Sequence, residues 1–301
     1  MHLTLQQLKL FESVVRNRSF TRAAEEMHLT QPAVSIQLKR LEEQVGLPLL
    51  ENVGKKIFPT AAGKSMYAAA TDILNRVADL KREVESLKGE VRGPLQLSIV
   101  TTGKYFMPHL LGHFLHQHPG VVPLLNFTNR AQVVERLMNN EDDFVVMGQI
   151  PEEENRLVAH PFLENILAIV APPDHRLAQR KNLQLEEVIR ERFIGREPGS
   201  GTQMAFNRVL KKKGLTIVPY MELGSSEAIK QAVLGGLGIA VLSLHSMRVE
   251  QDAGKLVILD VAGFPIKRRW YAVHLKGKKL SLAAQSFLDF ILEEGHRVLS
   301  S

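Results

Sequence analysis

The fold class this 301-residue chain predicts is an all-α N-terminal domain of winged helix-turn-helix type, a long linker helix and an α/β region of two lobes. Three observations predict it. Two short helices with chemically marked ends occupy Ser19 to Leu50, apolar residues recur at alternating spacings of four and three from Met66 to Val91, and β-rich apolar runs alternate with helical segments from Pro94 onward. The expected boundaries are 1–60, 61–92 and 93–301, with one lobe over about 93–162 and 267–301 and the other over about 163–266.

The first helix opens at Thr4, which forms a capping box with Gln7, and its Leu8, Phe11 and Val15 fall on one face able to cover the following pair. Ser19 caps a second helix through Met27, where Ala23 and Ala24 permit close helix approach. After a break at His28 to Thr30, Thr30 caps a third helix. Pro32 falls in its first turn, where a missing N–H costs nothing, and Gly46 ends it in a left-handed conformation. Val34, Leu38, Leu41 and Val45 make its buried stripe. Gln31, Ser35, Gln37 and Lys39 lie off that stripe with Ile36 among them, amides and hydroxyls of the kind that read base edges and phosphates. For a lone helix pair water is the simpler partner of that face; the covering helix and the following segment weigh against it. Glu51 to Thr60 pairs a Gly54 turn with Lys55 and Lys56, which suits a hairpin resting on phosphates.

The sustained heptad of Met66, Ala70, Ile73, Val77, Leu80, Val84, Leu87 and Val91 predicts a long helix whose apolar stripe is covered by a second copy of the chain, with Met66, Ile73, Val77, Leu80, Val84 and Leu87 as the dimer seam. Gly93 and Pro94 are expected to form the hinge after it. Beyond that hinge, strands are predicted at Leu95–Val100, Pro123–Phe127, Asp143–Gly148, Ile166–Ala171, Pro219–Leu223, Ile239–Ser243, Leu256–Leu259 and Arg269–Leu275, with a final helix over Leu282–Leu299. Three strand-to-helix turns stand out, at Thr101 to Lys104, Thr128 to Arg130 and Arg196 to Thr202. Free N–H groups at helix starts, hydroxyls, and Lys104, Arg130 and Arg196 together suit a small carboxylate or phosphate ester. Any one of the turns alone is an ordinary helix start.

The run Phe20 to Glu25 followed by Thr30 to Ser35 resembles the LysR-type transcriptional regulators, and the similarity extends over essentially the whole chain. That resemblance implies DNA contacts at the start of the third helix, at Gln31, Pro32, Ser35 and Gln37; the full DNA-facing set adds Ser19, Thr21, Thr30, Arg40, Lys55 and Lys56. Where many members carry Phe-Glu-Arg before the wing, this chain has Leu50, Glu51 and Asn52, so no arginine contact to phosphate is expected there. The resemblance also implies an α/β region like the periplasmic solute-binding fold, with strands crossing between lobes near 161–165 and 263–268. Effector contacts are implied at Thr101, Thr102, Thr128, Gly201 and Thr202, with Asn126 and Gln149 beside them; Lys104 and Arg196 complete the expected set. Twofold pairing through the heptad predicts imperfectly palindromic double-stranded DNA, with RNA polymerase as a further candidate partner; the resemblance implies in addition antiparallel pairing of the linker helices and the joining of two dimers into a homotetramer. The segments Val100–Phe106 and Arg196–Thr202 are similar to the RuBisCO-operon and carbon-concentration regulators of that family. This implies an anionic effector from carbon metabolism: a sugar phosphate, phosphoglycolate, 2-oxoglutarate or a nicotinamide nucleotide.

Composition narrows the alternatives. Cysteine is absent, 45% of residues are hydrophobic and the net charge is +6, consistent with a globular chain and polyanionic partners, without a disulfide framework. No secretory pattern or membrane-spanning run is read, so the cytoplasm is the expected location and no membrane partner is expected. No cofactor or metal site is expected: His109, His113, His116 and His118 crowd one helix with no carboxylate between the first two. Gly199 to Gly201 lacks the spacing of a nucleophile elbow, and Gly235, Gly236 and Gly238 run from helix to strand, the wrong order for a dinucleotide fingerprint. An enzyme is therefore not expected. A solute-binding protein without DNA readout would fit residues 94–301 but leave the helix pair and heptad unexplained. In a gel shift, Gln31→Ala should weaken a specific operator more than random DNA, whereas Lys55→Ala should weaken both alike; equal losses for the two variants would remove base readout from Gln31.

Overall fold

The computed structural model of the protein describes residues 3–53, 56–86, 90–152 and 154–300. The chain divides into two compact units, up to residue 88 and from residue 89. In the first, α1 (Leu5–Asn17), α2 (Phe20–Glu26) and α3 (Gln31–Val45) precede a hairpin of β1 (Leu50–Val53) and β2 (Lys56–Pro59), and α4 (Ala61–Ser86) follows. Thr4 and Gln7 cap one another, with Thr4 Oγ1 accepting from the Gln7 N–H at 3.2 Å and Gln7 Oε1 from the Thr4 N–H at 3.0 Å. Ser19 and Thr30 cap α2 and α3, and Gly46 ends α3 at φ +79°. Phe11, Val14, Ala23, Val34 and Leu41 are fully buried in the core these helices share. Two polar ties fix the frame. Glu26 on α2 receives Ser13, Asn17 and Arg16 from α1, and Glu42 on α3 accepts the N–H groups of Leu49 at 2.8 Å and Leu50 at 3.2 Å, which anchors the hairpin.

The apolar stripe of α4 is divided between two uses. Met66, expected at the dimer seam, packs with Ala62 and Tyr67 against the core of its own unit, and Ala70 is buried. Farther along, Ile73, Leu80 and Val84 are 42%, 54% and 52% exposed, while Val77 is half-buried. Leu87, Gly54 and Lys55 lie outside the described residues, as does the side chain of Lys56.

The second unit runs β3 (Gly93–Val100), α5 (Met107–Gln117), β4 (Val121–Thr128), α6 (Arg130–Met138), β5 (Phe144–Met147), β6 (Leu157–Ala171), α7 (Leu185–Val188), β7 (Phe193–Arg196), α8 (Gly201–Lys212), β8 (Met221–Leu223), α9 (Ser226–Leu234), β9 (Ile239–Ser243), α10 (Arg248–Asp252), β10 (Val257–Ile258), β11 (Ile266–Leu275), α11 (Leu282–Glu293) and α12 (Gly295–Ser300). Its sheet has the order β4-β3-β5-β11-β6-β9-β7-β8, with β10 also on β6. The strands β6 and β11 pair antiparallel from Leu157↔Leu275 to Leu167↔Ile266, and each contributes to both lobes. Each lobe carries helices on both sheet faces, so strands such as Phe144–Met147 and Ile239–Ser243 are buried throughout.

Several expectations are corrected here. Gly93 and Pro94 are not a hinge but the first residues of β3, paired with Val121 and Val122, and Val91 packs against the core of the second unit instead of extending the heptad. The predicted final helix is broken at Glu294, α7 lies where no element was expected, and β7 is the strand that the turn at Arg196 implied without bounds. In the first unit Gly63 packs so tightly that an added Cβ would lie 1.9 Å from the Leu49 carbonyl oxygen. Gly63→Ala should therefore destabilise that unit by about 1–3 kcal/mol, measurable as a lowered denaturant midpoint.

Candidate functional site

A narrow cleft lies between the lobes of the second unit, built from the ends of β3 and β5, the first turns of α6 and α8, and the crossing strands. Of the residues expected to bind an effector, Thr101, Thr102, Gln149, Arg196, Gly201 and Thr202 line it. Three do not. Lys104 is exposed with its ammonium 5.1 Å from the Tyr105 ring, facing a separate crevice. Asn126 Nδ2 donates to Ser98 Oγ at 3.4 Å, and the Thr128 hydroxyl is bonded to Gln132.

Arg196 lines the cleft but does not bring a free charge to it. Its Nε and Nη2 donate to the two oxygens of Glu197, each at 2.7 Å, a fork-to-fork pair that neutralises the guanidinium. Its Nη1 donates to Ser226 Oγ at 3.1 Å, leaving the Ser226 proton available to Thr102 Oγ1, 3.2 Å away in the other lobe. Arg196 therefore acts as a brace.

The uncompensated charge comes from Arg130 and Arg268 instead. Neither forms an ion pair with a described carboxylate. Arg268, on β11, donates Nη1 to the Gly201 carbonyl at 2.8 Å and Nη2 to the Gly148 carbonyl, bridging the lobes. Burial, then repulsion from Arg208 and Arg130, brings it down to about 10. Burial and the charge of Arg208 also lower Arg130, with Glu152 offsetting part of the effect. Gly148 makes this convergence possible: an added Cβ there would lie 2.6 Å from Asn165 Nδ2 and 3.2 Å from Arg268 Nη2, whereas one on Gly201 would meet Arg268, Gln149 and Arg130 only at ordinary contact distance. The N-cap position Ser200 makes no side-chain cap, so the first N–H groups of α8 also face the cleft without competition from it. Trp270 completes the wall; its indole N–H, 2% exposed as a residue, has no hydrogen-bond partner among the described residues.

Asn165, Ser200, Arg268 and Trp270 were not anticipated from the sequence. The signal available was the alternation of Arg268 and Trp270 along β11, which places both on one face.

A second tie between the lobes lies behind the cleft. Tyr105 Oη donates to Glu227 Oε2 at 2.7 Å, and Lys230 ion-pairs with Glu227 at 2.9 Å and Glu250 at 2.8 Å. Partial burial works against the Glu227 charge, but hydrogen bonds from Gln231, Lys230 and Tyr105, with the Lys230 charge, outweigh it and hold the carboxyl at about 2.

Of the residues expected to face DNA in the first unit, Thr21, Thr30, Gln31, Pro32, Ser35 and Arg40 are exposed, while Ser19 and Gln37 are half-buried. Ile36, 55% exposed, stands among them. The Arg18 guanidinium lies over the Phe58 ring at 5.6 Å, bringing to the wing a cation the sequence reading did not select. Among the described residues no group of three or more histidines and carboxylates is placed to hold a metal, and no helix is long and apolar enough to cross a membrane.

Comparison with known proteins matches both units. The family described as "Bacterial regulatory helix-turn-helix protein, lysR family" matches residues 5–64, and "LysR substrate binding domain" matches residues 88–295. A RuBisCO operon transcriptional regulator of Acidithiobacillus ferrooxidans is 47% identical over 290 residues, covering 96% of this chain and 94% of its own. The HTH-type transcriptional activator CmpR of Synechocystis sp. is 44% identical over 295 residues, covering 98% and 97%. Among solved structures, the Synechocystis CcmR regulatory domain in complex with 2-PG is 45% identical, with a TM-score of 0.64 over 67% of this chain and 96% of that one.

The Glu227 carboxyl titrates lower in the folded chain than its ordinary 4.5, so its contribution to stability is complete above about pH 4.5 and lost as pH falls towards about 2. In denaturation at a series of pH values, the stability gap between the wild type and Glu227→Gln should hold at neutral pH and close over that window.

Proposed function

The chain belongs to the LysR family of transcriptional regulators, and from that premise we propose that it is a regulator of carbon-fixation or inorganic-carbon genes whose effector is a small phosphorylated carboxylate. The observation that carries the ligand class is the pair of guanidiniums, Arg130 and Arg268, brought into one cleft with no described carboxylate paired to either. Such a pair favours an anion, and the hydroxyls of Thr101, Thr102, Ser200 and Thr202 with the start of α8 suit phosphoryl oxygens. The 2-PG of the Synechocystis structure is consistent with this class, and the names of the relatives supply the genes.

In this reading residues 1–60 bind double-stranded DNA through the α3 surface and the wing. Ile73, Val77, Leu80 and Val84 of the linker are covered by a second copy of the chain, dimers join into a tetramer, and residues 93–301 hold the effector between lobes. The protein works in the cytoplasm, engages imperfect palindromes, contacts RNA polymerase and turns over no substrate. Effector binding alters the angle between lobes and, through the linker, the bend of the DNA.

Trp270 is the only tryptophan in the sequence and lines the cleft, so intrinsic fluorescence reports occupancy directly. Titration of the full-length protein with phosphoglycolate should give a saturable change in emission. Arg268→Ala should weaken binding by about 2 kcal/mol or more, roughly thirty-fold, and Arg268→Lys should restore part of it. DNA footprint length should change at saturating ligand. A flat titration would sink the ligand assignment, and an unchanged footprint would sink its regulatory role.

A further inference from the structure

Behind Arg268 the chain opens into a second depression. An open basin of about 680 Å³ is lined by Gly148, Gln149 and Ile150 on one side and by Arg208, Lys267 and Arg269 on the others, with Arg268 as its common wall with the cleft. Arg208, Lys267 and Arg269 are exposed, and none forms an ion pair with a described residue. Glu164 stands opposite Arg269 across the β11–β6 pairing without reaching it. Arg208, Lys267 and Arg269 therefore share one concave space, with the Arg268 guanidinium turned to the other face of β11, and the Arg208 charge is felt at both Arg268 and Arg130. Isolated surface cations spread over a convex face bring no ligand together. Here α8 supplies Arg208, the alternate residues Lys267 and Arg269 of a crossing strand supply two more, and the Gly148 to Ile150 segment closes the rim.

We propose that this basin is a second anion-binding site, distinct from the effector cleft, and that it takes a compact polyanion carrying two or more phosphoryl groups. One carboxylate or one phosphate would leave most of the surrounding cations unpaired, whereas adjacent phosphoryl groups can engage Arg208, Lys267 and Arg269 together. The cleft is narrow and suits a small ligand; the basin is wider and more open and admits a ligand whose remainder extends into solvent. Because Arg268 borders both, an anion in either space lowers the positive potential met by an anion in the other, and this coupling is reciprocal.

The test is isothermal titration of the full-length protein with inorganic pyrophosphate, with and without saturating phosphoglycolate. Pyrophosphate should bind in both conditions, more weakly with the cleft filled. The double variant Arg208→Ala, Lys267→Ala should lose at least tenfold in pyrophosphate affinity while phosphoglycolate affinity stays within about threefold; Arg130→Ala should show the opposite pattern. Because all three substituted side chains in these variants are at least partly solvent-exposed, unchanged circular dichroism serves as the folding control. Pyrophosphate binding that phosphoglycolate abolishes completely, or that the double variant leaves untouched, would overturn the second site. The titration without phosphoglycolate reads the basin even if the cleft refuses that ligand, so the two assignments fail separately.

Discussion

The effector unit is organised around a half-buried cation. Arg268 stands on a strand shared by both lobes, reaches the Gly148 carbonyl on one side and the Gly201 carbonyl on the other, and has no described carboxylate partner. A charge taken out of water without a counter-charge is costly, and carbonyl oxygens repay only part of that cost. Much of the local architecture is intelligible as accommodation of this one group. Gly148 lacks the Cβ atom that would crowd its approach, Asn165 is held to one side by its bond to Ser243, and Trp270 lines the cleft beside it. Arg196, by contrast, is satisfied by its own neighbour Glu197 and can serve as rigid support.

The DNA-binding unit follows a different economy, in which apolar residues from each helix and the wing meet in a shared core and the helix ends are satisfied locally. The caps at Thr4, Ser19 and Thr30 satisfy helix N–H groups locally, so the helices need no help from a ligand to form. Along α4 this economy changes. The first turns bury Met66 and Ala70 at home, whereas Ile73, Leu80 and Val84 remain exposed on a helix too long to be covered by its own unit. Exposed apolar residues at heptad spacing are the part of this unit that calls for another chain.

Much of this was legible in the residue order, because it rests on local chemistry. Helix ends are marked by single side chains, so Ser19, Thr30 and Gly46 lie at the observed boundaries. Strand β9 begins and ends where its apolar run does. What was not legible depends on pairing across distance. Arg196 looked like a ligand cation until Glu197 turned back upon it, and Arg268 looked like a strand residue because nothing near it in sequence shows that Gly148 and Gly201 converge there. The four-residue strand Phe193–Arg196 is too short to show a period and ends in the turn that attracted notice. Val91 continues the heptad by spacing alone; its packing lies with the second unit.

The distribution of charge explains why an anion, and not merely any ligand of the right size, can act on this fold. A ligand shifts a conformational equilibrium only by its difference in affinity for the two states. Between the lobes Thr102 and Ser226 already share a neutral contact, and Tyr105 donates to a Glu227 carboxylate whose charge Lys230 balances, so a neutral ligand would add only more contacts without net charge. The guanidiniums are different. Arg130 starts a helix of one lobe, Arg208 lies on a helix of the other, and Arg268 lies on the crossing strand between them, so bringing the lobes together brings like charges together. Their repulsion opposes closure, and an anion beside Arg130 and Arg268 offsets it. The same three residues that make approach of the lobes unfavourable thus make it strongly dependent on one class of molecule.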